Sequence, residues 1–316
     1  MDSRRWLQRD GQAVRILSVV VIAIVLIPRP SAGIYAPSPN EEPPAYCTVF
    51  NHLVKSGGTS IKDQLVAGSK RDGSRHPELC THDGRTREGG CIDAMYNASV
   101  ITGYGELLRH PLSRIGRSCS YFTMVRHPVA RLVSAFYYCP EGRDTQRRPS
   151  KYCGNQEDEL PMTSRLLDFA EHFWGNMLFQ QMAYSVSCPH IFPLCSPTYS
   201  THARTMPRRV PRDLSSSESW DLLQEVQAIL SSYTAVGIFE EWGLSMRLFD
   251  ATVHSPTFQW DEHVQQNAGH QSTERQKLLQ WALLSPELRK ILAADLLLYD
   301  FAVMTFRTQT RDLVGE

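Results

Sequence analysis

The feature that most constrains this 316-residue chain is a short apolar strand pattern that runs directly into a glycine loop and then a helix. Residues 46–53, YCTVFNHL, are aromatic and β-branched, the composition of a buried strand. Lys55-Ser56-Gly57-Gly58-Thr59-Ser60 follows, and residues 60–66 read as helical. Two glycines let the backbone turn tightly and approach a ligand closely. The helix start beyond them offers amides that have no helical acceptor, together with the positive end of the helix dipole. Lys55 adds a formal charge, and Thr59 and Ser60 add hydroxyl donors. The loop therefore reads as a cradle for phosphate or sulfate, with a plain turn as the bland alternative. It is not the Mg²⁺-nucleotide loop, in which lysine stands directly before the Ser/Thr; here Lys55 precedes the glycines, which disfavours an NTPase or kinase.

A second unit repeats the architecture. Residues 121–125, YFTMV, read as a strand ending at Arg126, and Pro128 opens the helical stretch PVARLVSAFYY. A guanidinium fixed at a strand end and the hydroxyl of Ser134 in the next helix suit a second phosphate. Further strands are expected at 99–102 and 234–239. Helices are expected at 163–184, 216–230, 240–250 and from Ser285-Pro286-Glu287 to about residue 305. Residues 68–94 and 140–160 read as irregular. Strands alternating with helices predict an α/β fold: a three-layer, P-loop-like domain with a central parallel sheet flanked by helices. Its ligands belong at the carboxyl ends of the strands.

Charge and composition narrow the partners. The chain has 33 basic and 33 acidic residues, so a general nucleic-acid binder is disfavoured. Five arginines and two aspartates fall in the first 30 residues, leaving 28 basic against 31 acidic in the remainder. Any anion site must therefore be local. The apolar run at residues 16–27 follows Arg4, Arg5, Arg9 and Arg15. As a helix it spans about 18 Å, short of the roughly 30 Å hydrocarbon core. It fits a signal-peptide core, with small residues at Ser31-Ala32-Gly33, or a short signal anchor. Both readings leave residues 1–15 cytoplasmic and the rest lumenal. Residues 28–44 hold six prolines and read as a stem, followed by a lumenal domain over 45–316. Asn97-Ala98-Ser99 is a glycosylation sequon. Eight cysteines without CxxC spacing suit an oxidising compartment, and Cys188 with Cys195 closes the shortest loop of any pair.

Segments 52–61 (HLVKSGGTSI) and 122–138 (FTMVRHPVARLVSAFYY) resemble the 5′-phosphosulfate loop and 3′-phosphate motif of sulfotransferases that use 3′-phosphoadenylyl sulfate. VGIFEEWGLSMRLFDA (236–251) and NAGHQSTERQ (267–276) resemble the membrane-bound Golgi carbohydrate branch, within it the uronyl and heparan sulfate 2-O-sulfotransferases. The resemblance covers roughly 46–306. It implies that the Ser56 turn and the amides of Gly57, Gly58, Thr59 and Ser60 hold the 5′-phosphate. Lys55 touches the bridging oxygen, and Arg126 and Ser134 bind the 3′-phosphate. The implied reaction is in-line sulfuryl transfer from this donor to a carbohydrate hydroxyl, without a metal. The implied protein is a single-pass type II Golgi membrane protein, or alternatively a secreted one.

The sequence departs from that branch at the general base. Where the 2-O branch has His-Gly-His, this chain reads Thr102-Gly103-Tyr104. A free tyrosine titrates near ~10 and is a poor base. Glu106 is the first candidate, since related sulfotransferases use glutamate; His110, His52 and His82-Asp83 follow. Arg143, Arg147, Arg148 and Lys151, with Arg204, Arg208, Arg209 and Arg212, are loop cations suited to an acidic glycan. The missing histidines keep open a catalytically impaired glycan-binding protein on the same fold, and nothing in the sequence excludes a protein-tyrosine sulfotransferase.

Overall fold

The computed structural model describes residues 47–71, 80–82, 100–103, 119–138, 160–187, 214–253, 260–261 and 272–314. The chain divides into a unit Met1–Pro43 and a unit Pro44–Glu316, and the architecture described is that of the second. Its centre is a five-stranded, all-parallel sheet of β1 (Cys47–Asn51), β2 (Cys80–His82), β3 (Val100–Gly103), β4 (Cys119–Val125) and β5 (Ala235–Ile238). The spatial order is β2-β3-β1-β4-β5. β1 is thus central: the chain next forms the edge strand β2, returns to place β3 between β2 and β1, and then crosses to β4 and β5 on the other side. Such a reversal opens a crevice at the carboxyl end of the central strand.

Helices cover both faces. α1 (Gly58–Arg71) follows β1, and α2 (Pro128–Tyr137) follows β4. α3 (Met162–Phe169) continues through a π-helical turn, Ala170–Trp174, to α4 (Met177–Ser187). α5 (Ser217–Ser231) precedes β5, and a 3₁₀ turn, Phe239–Glu241, leads into α6 (Trp242–Thr252). α7 (Thr273–Leu284), α8 (Pro286–Ile291) and α9 (Ala293–Val314) complete the chain.

Side-chain alternation along the strands shows the layering. Phe50 and Phe122 meet each other, and Phe122 packs edge-on against Phe249 of α6 and Trp260. Asn51 and Tyr121 point the other way: the Asn51 amide donates to the Tyr233 hydroxyl beyond α5 at 2.9 Å and lies against Met182 of α4, while Tyr121 packs on Tyr233. With both faces covered, β5 is buried at every residue, as a parallel sheet requires. The expected α/β architecture, a parallel sheet flanked by helices, is the one observed.

Four local expectations are corrected. The segment 68–94, read as irregular, contains the last turn of α1 and the edge strand β2, which at three residues is too short to show a period. The helix expected over 163–184 is interrupted after the π turn. There Gly175 is extended (φ −63°, ψ 131°) and Asn176 is left-handed (φ 52°), a Gly-Asn turn set inside an apolar helical pattern. The last helix breaks at Leu292 and resumes to Val314. α7 was not anticipated, although Ser272 caps it by accepting the Arg275 amide.

The apolar run 16–27, the stem, Asn97, Cys188, Cys195 and both loop cation clusters lie outside the described residues. Among those described, no helix is long and apolar enough to cross a membrane. Cys119, at the start of β4, is disulfide-bonded.

Candidate active site

β1 and β4 are neighbours in parallel register, so the segments leaving them emerge side by side at one end of the sheet. After β1 the chain turns through a bond from the Ser56 amide to the Leu53 carbonyl (3.3 Å), with Lys55 at φ 63° and Gly57 at φ 82°. A lysine in the left-handed region stores backbone strain, a feature that concentrates at ligand-binding turns. The helical ladder of α1 begins with the Ile61 amide donating to the Gly57 carbonyl, which leaves the amides of Gly58, Thr59 and Ser60 at the head of the dipole. The Ser56 hydroxyl is buried and has no hydrogen-bond partner among the described residues.

The glycines are also needed for space. A Cβ on Gly57 would sit 2.9 Å from Phe239 and 3.0 Å from Trp242, and one on Gly58 would sit 1.9 Å from the His52 ring. His52 stacks on Phe50 and gives its carbonyl to the Gln181 amide (3.0 Å), so the ring is held beneath the loop and has little room to retreat. Gly58→Ala is therefore expected to displace the loop and lower stability by about 1–3 kcal/mol, the usual cost of overpacking. Thermal denaturation checks this, and adding His52→Ala to the same chain should recover most of the loss.

Arg126 leaves the end of β4 and binds back across the sheet: Nη1 donates to the Lys55 carbonyl at 3.3 Å. Its guanidinium lies over the Phe239 ring, 4.4 Å from the centroid, and its buried Nε has no partner among the described residues. Glu240 stands beside it. One carboxylate oxygen accepts the His127 amide (3.0 Å) and the other accepts the Tyr299 hydroxyl (3.2 Å), so β4, the 3₁₀ turn and α9 are joined at this corner. Burial, and then the Glu240 carboxylate, push the Tyr299 phenol well above its ordinary range. Ser134 is buried two turns into α2.

The corner is strongly electropositive. Burial, and then the charges of Arg126 and Arg275, pull the Lys55 ammonium down to about 8. Burial is also the main influence lowering Arg126, opposed by Glu240 and reinforced by Arg275 and Arg131. Burial, Lys62 and Lys55 bring His52 down to about 4, which makes it a neutral imidazole at physiological pH. Like charges pressed together in a partly desolvated cleft are stabilised by a bound polyanion.

The sheet thus places a glycine loop at a helix N-terminus and a strand-end arginine at one crevice, beside the central strand where the chain reverses direction. The family model described as "Sulfotransferase family" matches residues 44–303. The chain belongs to the sulfotransferase family. No curated protein matches the chain.

In this sulfotransferase, the loop residues Lys55, Ser56, Gly57, Gly58, Thr59 and Ser60 and Arg126, just past the end of β4, converge, and Ser134 is carried on the helix that starts beside Arg126. Glu106, Tyr104, His110 and Asp83 lie outside the described residues, while His82 ends β2 and Thr102 lies in β3. Sequence reading missed Arg275, Tyr138, Phe239 and Glu240. Arg275 carried a signal: a cation in the first turn of a capped helix opposes the helix dipole, so its placement there calls for another reason. The other three come from separate segments that only the fold brings to the loop. Among the described residues, Asp168, Glu171 and His172 could gather around an ion, but all three are exposed.

Proposed function

We propose that this sulfotransferase moves a sulfuryl group from 3′-phosphoadenylyl sulfate to a hydroxyl of a glycan, an acidic one such as a glycosaminoglycan, and that it belongs with the Golgi carbohydrate branch. The observation that carries this reading is the direct tie between Arg126 and the Lys55 carbonyl. It ties the loop that carries Lys55 to the strand end that carries Arg126, so both cations serve one crevice, as a doubly phosphorylated adenosine requires. The buried Ser56 hydroxyl and Arg126 Nε, both without partners among the described residues, are donors that such a ligand would satisfy.

When bound, this donor supplies the activated sulfuryl group. The amides of Gly58, Thr59 and Ser60 at the head of α1 orient the 5′-phosphate, with the Ser56 and Gly57 turn shaping the approach. Arg126, with Ser134, holds the 3′-phosphate, and Arg275 adds charge to the same crevice. The Lys55 ammonium offsets negative charge developing on the departing phosphate oxygen. Glu106 is the proposed acceptor of the hydroxyl proton. Lumenal residence behind a type II anchor over 16–27, or secretion after its cleavage, accords with the disulfide at Cys119.

Binding of 3′-phosphoadenosine 5′-phosphate tests the reading. The nucleotide should raise the melting temperature of the purified protein, and Arg126→Ala should weaken its binding by about 10- to 100-fold, the worth of charge-assisted bonds to one phosphate. No thermal shift in the unsubstituted protein would end the donor assignment. Binding without transfer to any of a panel of sulfated, carboxylated and tyrosine-containing acceptors would favour the glycan-binding alternative.

A further inference from the structure

Among the described residues, the Lys55 ammonium is directed at a ring and not at another charge. It sits 3.4 Å from the centroid of the Tyr138 ring. Tyr138 is the residue that closes α2, its amide bonded to the Ser134 and Ala135 carbonyls. The ring is 64 % exposed, so packing into the core does not explain its position. α2 is also the helix that begins beside Arg126 and carries Ser134. One rigid element therefore starts two residues after Arg126, carries Ser134 and ends by presenting an aromatic face to the lysine.

The physical need for such a face is clear from the surroundings of the ammonium. Among the described residues, Arg126 at the β4 end and Arg275 in the first turn of α7 are the charges that act on Lys55, and both repel it. Lys62 on α1 and the neutral His52 ring adjoin the same turn. A lysine side chain has four flexible bonds and large rotamer freedom. Left to repulsion alone it would swing away from the crevice. The electron-rich face of a tyrosine, together with the negative end of the α2 dipole, attracts the cation without competing as an anion would.

We propose that Tyr138 is a positioning residue, whose ring holds the Lys55 ammonium extended over the crevice so that it meets the sulfuryl donor without reorganisation. The ring, not the hydroxyl, performs this role. The inference deepens the sulfotransferase reading and rests on Lys55 acting at the donor.

Three variants and two readouts test it. Selective labelling of lysine side chains should show the Lys55 ε-methylene protons shifted upfield by the ring current. The shift should persist in Tyr138→Phe and vanish in Tyr138→Ala. At saturating donor, Tyr138→Ala should lower kcat about five- to tenfold, the scale of a partly desolvated cation–π contact. Tyr138→Phe should retain wild-type kcat. The affinity for 3′-phosphoadenosine 5′-phosphate should stay within about twofold in both variants, because Arg126 and the loop amides are untouched. An unshifted Lys55 signal in the unsubstituted protein, an undiminished kcat in Tyr138→Ala, or a Phe variant as impaired as the Ala variant would each overturn the tyrosine's role alone. Absence of nucleotide binding by the unsubstituted protein would instead remove the sulfotransferase donor reading beneath it.

Discussion

Lys55→Ala is expected to lower sulfuryl transfer by about 100- to 1,000-fold, the usual loss when one pre-aimed charge stabiliser is removed from a transition state. The fold should survive, since the side chain is half-buried at a surface crevice and its neighbours are two arginines that repel it. A radiolabelled transfer assay beside a melting curve separates the two effects. The same residue sets a pH limit. With its ammonium lowered to about 8, the free enzyme loses this charge in a range where an ordinary lysine keeps it. kcat/KM should therefore fall as pH rises through about 8, since that ratio reports groups of the free enzyme. A bound anion favours the protonated form and lifts its pKa, so the matching limb in kcat should lie at higher pH. A kcat/KM profile flat to pH 10 would show that Lys55 takes no part in donor capture or transfer.

Asp295→Ala is expected to cost about 3–5 kcal/mol of stability, the scale for removing one partner of a buried ion pair. The carboxylate lies at the start of α9, fully buried. One oxygen bonds Arg131 of α2 and the Leu178 amide, and the other accepts the Phe179 amide, both amides in the first turn of α4. The Asp295 amide in turn donates to the Asn176 side chain at 3.0 Å. Burial pushes the carboxyl up; Arg131 and the two amides draw it back. Deleting it would leave the Arg131 guanidinium and the α4 amides facing a void. Because α2 carries Ser134 and Tyr138, loosening it should also weaken nucleotide binding. Chemical denaturation checks the first effect and calorimetric titration the second. A loss under 1 kcal/mol would mean that the pair only balances its own desolvation.

The residues that make the cradle were legible because they are contiguous. A strand, two glycines and a helix start in one stretch of sequence can hardly be assembled otherwise, and an arginine at the end of another buried strand in a parallel sheet must emerge at the same edge. The interruption at Gly175 and Asn176 has only a dipeptide signal, which the apolar period around it masks. β2 was not visible, since three residues set no period, and its pairing with β3 is what defines it.

The candidate site divides along the same line. Local sequence determined that a strand-end loop with a lysine, two glycines and two hydroxyls begins a helix, because turn geometry and helix-end chemistry act over a few residues. Only the tertiary structure decided that Arg126 reaches the Lys55 carbonyl, that Tyr138 lies under the ammonium, that Arg275 joins them and that Glu240 pins the corner. Those contacts join residues from 59 to more than 200 positions apart. They exist because a strand order that reverses at β1 brings the ends of separate βα units to one crevice, and no local propensity encodes that order.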